Sequence, residues 1–296
     1  MLSILIPTYN YNVFPLVSAI HQQVEKAEIP FEIICLDDAS TLFFIENEKI
    51  NDLSGAKYEL LKDNIGRSKI RNLLAKKAQF DWLIFLDADI FPKSENFIST
   101  YIPYLNNDIK IVNGGILYQD EKPQQNQLLR WVYGKNREAL SYTKREKNPW
   151  LSFLTLNFLI HKSIFEQVSF NELIPNLRHE DTLFSYNLMQ KNIKIIHIEN
   201  PVYHLGLDAF EKMIKKEHES LFALKYLLDR QLVTSDYLRI SKLFSKLKKL
   251  NLILPISYFF KCTQTAFLKN LSGNSPSLFI FDLYRLGYLC AIENKE

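Results

Sequence analysis

The segment "WLIFLDADIF", Trp82 to Phe91, runs five apolar residues into two carboxylates, Asp87 and Asp89, separated by one alanine. In an extended chain residues i and i+2 point to the same side. The two carboxylates are therefore expected to converge, with Ala88 leaving the approach open. Carboxylates sharing a site repel unless a proton or cation lies between them. Oxygen ligands suit a hard divalent cation, Mg2+ or Mn2+, which also takes phosphate oxygens. The pattern predicts a metal–diphosphate shelf at the end of a buried strand. A D-x-D is common by itself; its place directly after an apolar strand gives it weight.

The elements that must position this shelf read as strand, turn, helix, repeated. Leu2–Ile6 is a short apolar strand broken by Pro7-Thr8-Tyr9-Asn10, and Val13, Leu16, Val17, Ile20, Val24 and Ala27 then recur at helical spacing. Phe31–Leu36 is a second strand ending in Asp37-Asp38-Ala39-Ser40, and Glu59–Leu61 a short third. Asn64-Ile65-Gly66 opens a helix through Ile70, Leu73, Leu74 and Ala78, and Trp82–Leu86 is the fourth strand. Near-continuous apolar strands are expected in a parallel sheet covered on both faces. Ligands of such sheets bind beyond the carboxyl ends of the strands. Thr8, Asp37, Asp38, Asp87 and Asp89 all fall there. The alternative for Asp37, Asp38 and Ser40 is helix capping. Neither G-x-G-x-x-G nor G-x-x-x-x-G-K-[ST] occurs, so the usual dinucleotide and P-loop signatures are missing.

The chain of 296 residues is 47% hydrophobic, enough for one large domain or a domain with an appendage. Met1 has no basic stretch after it, and no secretory signal is expected. The three cysteines, Cys35, Cys262 and Cys290, are too scattered for a disulfide scaffold or zinc site. A reducing, cytoplasmic setting fits this usage. Net charge is +3, unevenly spread: residues 207–296 carry 14 Lys/Arg against 9 Asp/Glu. From Tyr237 through Phe281 there are seven basic residues and no acidic one.

"ILIPTYN", "CLDDAS", "DNIGRSKIRN", "FLDADI" and "HEDTLFSYNLMQKNIKIIHIENPVYHLG" occur in the order and rough spacing of the family 2 glycosyltransferases, which the chain resembles over about residues 1–206. The resemblance implies an α/β, GT-A nucleotide-diphospho-sugar transferase fold: a mainly parallel central sheet flanked by helices, here with a helical C-terminal appendage over 207–296. It also implies an inverting, metal-dependent enzyme with Mn2+ or Mg2+ and a nucleotide-sugar donor, UDP-sugar by default. Matched to the family's motifs, Pro7, Thr8 and Tyr9 line the nucleotide pocket. Asp37 and Asp38 hold the acidic pair that reads the base, and Asn64 and Gly66 precede the family's arginine, Arg71. Asp87 holds the ribose side and joins the metal set, Asp89 binds the metal bridging the diphosphate, and His204 faces metal and diphosphate. Asp181 matches the general base, with Glu180 its rival. A cation stabilises charge growing on a diphosphate leaving group, so what remains is one carboxylate to activate the acceptor hydroxyl.

Other readings stay beside these. Asp181 could simply serve the first turn of a helix, and His204 could be a hydrogen-bonded structural histidine. Asn157, the polar exception in an apolar run, is a modest donor-site candidate. Arg130, Arg137, Lys144, Arg145 and Lys147 either meet an anionic group or form solvated surface. Ala39 stands where the family often has glycine, and Ile90 where it often has a third acid. In the tail, Phe210, Met213, Ile214, Leu221, Leu224 and Leu228 predict a helix packing back on the catalytic domain. Ile240, Leu243, Phe244, Leu247 and Leu250 trace an apolar face ringed by lysines. Such a helix suits an anionic membrane surface at the inner face of the cytoplasmic membrane. The apolar run after it is broken by Pro255 and Lys261 and is too short to span.

The expected function is transfer of a sugar to a glycan or lipid-linked acceptor in surface polysaccharide or lipopolysaccharide synthesis, with no nucleic-acid partner. A nucleotidyltransferase acting on a sugar phosphate would want a glycine-rich basic first loop, and "PTYNYNVFP" has neither glycine nor lysine. A non-catalytic nucleotide-sugar-binding relative is the third reading.

Overall fold

A computed structural model describes residues 1–105, 108, 110–175 and 178–293. Two units separate by their internal packing: Met1–Leu117 with Ala139–Asn176 and Glu180–Gly206, and Tyr118–Glu138 with Leu177–His179 and Leu207–Glu296.

In the first unit the strands are β1 (Leu2–Thr8), β2 (Phe31–Asp37), β3 (Ala56–Leu60), β4 (Trp82–Leu86), β5 (Ile90–Pro92), β6 (Ile111–Asn113), β7 (Ile116–Leu117), β8 (Asn157–His161), β9 (Ile196–His197) and β10 (Val202–His204). The described residues form a seven-stranded sheet in the order β3-β2-β1-β4-β8-β6-β9 and a small sheet β5-β10-β7. β3, β2, β1 and β4 are mutually parallel, β8 runs antiparallel between β4 and β6, and β9 is parallel to β6. This is the mixed, mostly parallel sheet of the expected α/β architecture.

Strand alternation explains the core. Leu2, Ile4 and Ile6 of β1, Ile33 and Cys35 of β2 and Ile84 of β4 face Leu16, Val17, Ile20 and Val24 of helix α1 (Phe14–Lys26). Leu5, Ile34, Leu36, Leu83 and Phe85 face the other way, against Ile70, Leu74 and Ala75 of α2 (Arg67–Lys77) and a phenylalanine cluster of Phe158, Phe165, Phe170 and Phe184. With both faces covered, every second residue need not be polar. Cys35 is a buried member of this core.

β1 runs two residues further than expected, through Pro7. The last β1 residue paired with β4 is Leu5, whereas Pro7 still pairs with Leu36 of β2. The missing proline N–H therefore costs no ladder bond on the β4 side.

The second unit holds helices α4 (Phe210–Asp229), α5 (Arg239–Lys249), α6 (Ile253–Leu271) and α7 (Leu278–Glu293); α3 (Glu180–Gln190) belongs to the first. Met213, Ile214, Leu221 and Leu224 of α4 are buried with Phe260, Phe281, Tyr284 and Leu289 of their own unit. α6 and α7 pack so closely that a Cβ on Gly287 would lie 2.5 Å from a Phe260 ring carbon. Among the described residues no helix is long and apolar enough to cross a membrane.

Candidate active site

The carboxyl ends of β1, β2 and β4 lie side by side, in register Thr8 with Asp37 and Leu5 with Phe85. Thr8 is buried and its Oγ1 has no hydrogen-bond partner, whereas Tyr9 is 54% exposed. The acidic pair after β2 builds the turn. Asp37 is wholly buried; its Oδ1 accepts from the Ser40 amide at 2.8 Å and its Oδ2 from the Tyr58 hydroxyl at 2.6 Å. Asp38 accepts from the Ile65 and Gly66 amides at 2.6 and 2.9 Å, and its carbonyl accepts from Asn64 Nδ2. Burial outweighs these bonds and raises the Asp38 carboxyl above its usual range. Asp38, just past the end of β2, thus holds the turn that enters α2 by the two amides that precede the helix. Gly66 sits at φ +86°, which only glycine adopts readily. Ala39 sits at φ +63°, so the alanine that replaces the family's glycine keeps glycine's backbone shape at a cost of about 1 kcal/mol.

The two carboxylates after β4 go to different partners. The strand ends at Leu86 and the chain turns through Ala88 and Asp89, so the extended alternation expected of Asp87 and Asp89 does not apply. Asp87 Oδ1 accepts from Arg71 Nη2 at 2.7 Å. Arg71 is 6% exposed, lies 5.4 Å from the Phe170 ring centroid and has Glu180 Oε1 3.6 Å from its Nη1. Burial opposes its charge, yet Asp87, Glu180 and Asp181 together raise the guanidinium above its ordinary value. Arg67 reaches the same Glu180 oxygen at 3.8 Å. This network ties the end of β4 to the first turn of α3, where Asp181 Oδ1 accepts from the Thr182 amide at 2.7 Å.

Asp89 faces His204, with Nε2 and Oδ2 3.5 Å apart. β5 and β10 pair antiparallel with His204 opposite Ile90, and the Leu205 amide donates to the Asp89 carbonyl at 2.8 Å. A Cβ on Gly206 would run into the Asp89 carboxylate. Among the described residues no group of three or more His, Cys, Asp or Glu side chains could hold a metal; of the expected ligands Asp87, Asp89 and His204, the last two face each other, while Oδ1 of Asp87 accepts from Arg71. The pair that remains, one carboxylate and one imidazole, fits a Mg2+ or Mn2+ ion that keeps waters and draws further ligands from substrate phosphates. Asp89 has the exposure this requires, with 35% of its side chain accessible. Gly206→Ala should fold normally but displace Asp89 and weaken Mn2+ binding about 10- to 100-fold in an EPR titration; unchanged affinity would show that the close approach is incidental.

Asn157, expected at the donor site, is wholly buried; it accepts from the Tyr101 hydroxyl at 2.7 Å and donates to the Gly115 and Asn200 carbonyls at 3.0 Å. These bonds tie the start of β8 to its neighbours. Arg145 is neither an anion site nor solvated surface: it is 2% exposed and donates to the Asn113, Gly114 and Ile198 carbonyls. Arg130 and Arg137 are ion-paired with Glu138 and Asp282, while Lys144 and Lys147 are exposed.

Tyr11 escaped the sequence reading. Burial and, after it, the nearby Asp89 charge raise its phenol above the usual value. Gly206 was legible only as the glycine two residues after a candidate ligand.

The profile described as glycosyl transferase family 2 matches residues 3–169. An uncharacterised glycosyltransferase of Haemophilus influenzae is 27% identical over 198 residues, 64% of this chain and 72% of that one. The mannosyltransferase PcManGT of Pyrobaculum calidifontis, solved with GDP-Man and Mn2+, superposes with a TM-score of 0.57 at 12% identity, over 99% of this chain and 86% of that one. S. aureus TarS 1-349 with UDP-GlcNAc gives 0.51 at 16% identity, over 99% and 91%.

Proposed function

The chain belongs to glycosyl transferase family 2, and from that premise we propose that it moves a sugar from a nucleotide-diphosphate donor, UDP-sugar first among the candidates, to a hydroxyl of a glycan or lipid-linked saccharide, inverting the anomeric centre. The polymer would be a surface polysaccharide or lipopolysaccharide, built on the cytoplasmic side. The observation that carries the reading is the Asp89–His204 pair at the carboxyl end of β4, tied through Asp87 and Arg71 to the first turn of α3.

Asp89 and His204 would hold the divalent cation; when bound, it neutralises charge on the diphosphate leaving group. That PcManGT was solved with GDP-Man and Mn2+ supports this assignment. Pro7, Thr8 and Tyr9 are the candidates to line the nucleotide. Thr8 brings a buried hydroxyl lacking a partner, which a donor oxygen would satisfy. Asp87 positions Arg71 and, through its second oxygen, can meet the ribose. Asp37, Asp38, Asn64 and Gly66 hold the turn beneath the base. Glu180 is anchored to two arginines, a positioning task, which leaves Asp181 to take the proton from the acceptor hydroxyl. One base and no nucleophile means attack from the face opposite the leaving group.

The test is a nucleotide-sugar panel with Mn2+, in which proton NMR reads the anomer of the first sugar transferred or released. Inversion is expected; retention would overturn the single-base scheme. Release of pyrophosphate from a nucleoside triphosphate and a sugar phosphate would instead establish nucleotidyl transfer.

A further inference from the structure

The second unit presents an apolar stripe that its own packing leaves outside. In α6, Ser257, Phe260 and Leu271 are buried. The opposite positions Leu254, Tyr258 and Phe259 are 63%, 73% and 59% exposed. At 3.6 residues per turn they spread over about 140° of the helix, on the side turned away from the buried positions. The corner leading into α6 continues the stripe, with Leu250 and Leu252 exposed as well. A run of large apolar side chains facing water is unusual for a surface with no binding role.

The chemistry around the stripe selects the occupant. No acidic residue occurs from Tyr237 to Phe281. Lys248 is ion-paired with Glu293 and Lys242 with Asp236. Lys246, Lys249 and Lys261 are exposed, beside or within the corner and stripe. Apolar and aromatic groups ringed by lysine match the boundary of a bilayer with anionic headgroups, where leucine and phenylalanine enter the acyl region and tyrosine and lysine stay at the phosphates. A second copy fits poorly, because a two-fold contact would set this cationic rim against itself. A nucleic acid would satisfy the lysines but offers the leucines no apolar phase.

We infer that the α5–α6 corner and the outer face of α6, centred on Leu254, Tyr258 and Phe259, are a docking surface for anionic lipid. The contact is interfacial, since no described helix is long and apolar enough to cross a membrane. It rests on the proposed function only in its purpose, which is to bring the enzyme to a lipid-linked acceptor; the test below needs no donor.

The full chain is sedimented with phosphatidylcholine vesicles and with vesicles that also contain phosphatidylglycerol. Binding is expected on the second kind only, weakening as salt is raised. Each alanine at Lys246, Lys249 or Lys261 should cost roughly fivefold in partition coefficient, and Tyr258→Ser with Phe259→Ser should abolish binding. These positions are exposed, so the variants keep the fold, which circular dichroism checks. In Tyr258→Trp, the indole emission gained over the parent chain should move to the blue on anionic vesicles alone. The inference is overturned by a folded chain that ignores anionic vesicles, by equal binding to both vesicle types, or by unshifted emission from the Tyr258→Trp variant. Self-association in equilibrium sedimentation that the serine variants abolish would also overturn it, giving the face to a second copy. Donor hydrolysis is measured separately without vesicles: its absence with vesicle binding intact counts against the active-site reading, and the reverse result counts against this surface.

Discussion

Asp181→Asn should lower transfer about a thousandfold while leaving donor affinity within about twofold. Removing a general base typically costs 100- to 10,000-fold in rate, or roughly 3 to 5 kcal/mol of barrier. Asparagine preserves the shape and the contact from Oδ1 to the Thr182 amide but cannot take a proton. Because the residue would act on the acceptor, the loss should fall on kcat and not on donor binding. Glu180→Gln is the control. Its carboxylate faces Arg71 and Arg67, so this variant should lose stability with a smaller loss of rate. If Glu180→Gln proved catalytically dead and Asp181→Asn active, the two roles would be exchanged.

The second large effect is on folding. Arg71→Met should cost about 3 kcal/mol in urea unfolding. A buried pair broken on one side leaves a charge without its counter-ion, which typically costs 3 to 5 kcal/mol. The lower end applies because Asp87 keeps 31% of its side chain exposed, so water can help it; Glu180 keeps only 13%. Arg71→Lys should recover part of the loss, since it keeps the charge but not the forked geometry. A loss below about 1 kcal/mol for Arg71→Met would place the pair with surface bridges of little consequence.

These residues also show which parts of the fold the sequence made legible. The strand Trp82–Leu86 is apolar at every position, and both faces of that sheet are covered, so its limits could be read directly. The strand end after Leu86 was equally visible, because a change from apolar run to carboxylate marks it; the helix start at Glu180 follows no apolar run and showed only in its two successive carboxylates. Residue types and spacing did not show the partner of each carboxylate; only the family resemblance set His204 beside Asp89, and nothing set Arg71 on Asp87. Asp87 and Asp89 look alike in sequence, yet Arg71 sixteen residues upstream claims one and His204, on a strand paired to β5, meets the other. Asn157 poses a related problem: a lone polar residue in an apolar strand can face a ligand or close a junction. Its bonds to Tyr101, Gly115 and Asn200 come from residues distant in the chain, which spacing does not reveal. Arg145 stood in a basic stretch, and its burial among backbone carbonyls depends on Gly115, where a Cβ would strike the guanidinium. Such long-range pairings leave no periodic trace in composition or spacing.

The measurement closest to the centre of the account is calorimetric titration of nucleotide-sugars into the protein, with Mn2+ and with chelator, repeated on Asp89→Asn. One donor should bind in Mn2+ with chelator abolishing it, and Asp89→Asn should lose the metal dependence. Tight, unchanged binding of that donor in chelator, or in Asp89→Asn with Mn2+, would contradict the assignment of Asp89 and His204 to the metal and diphosphate.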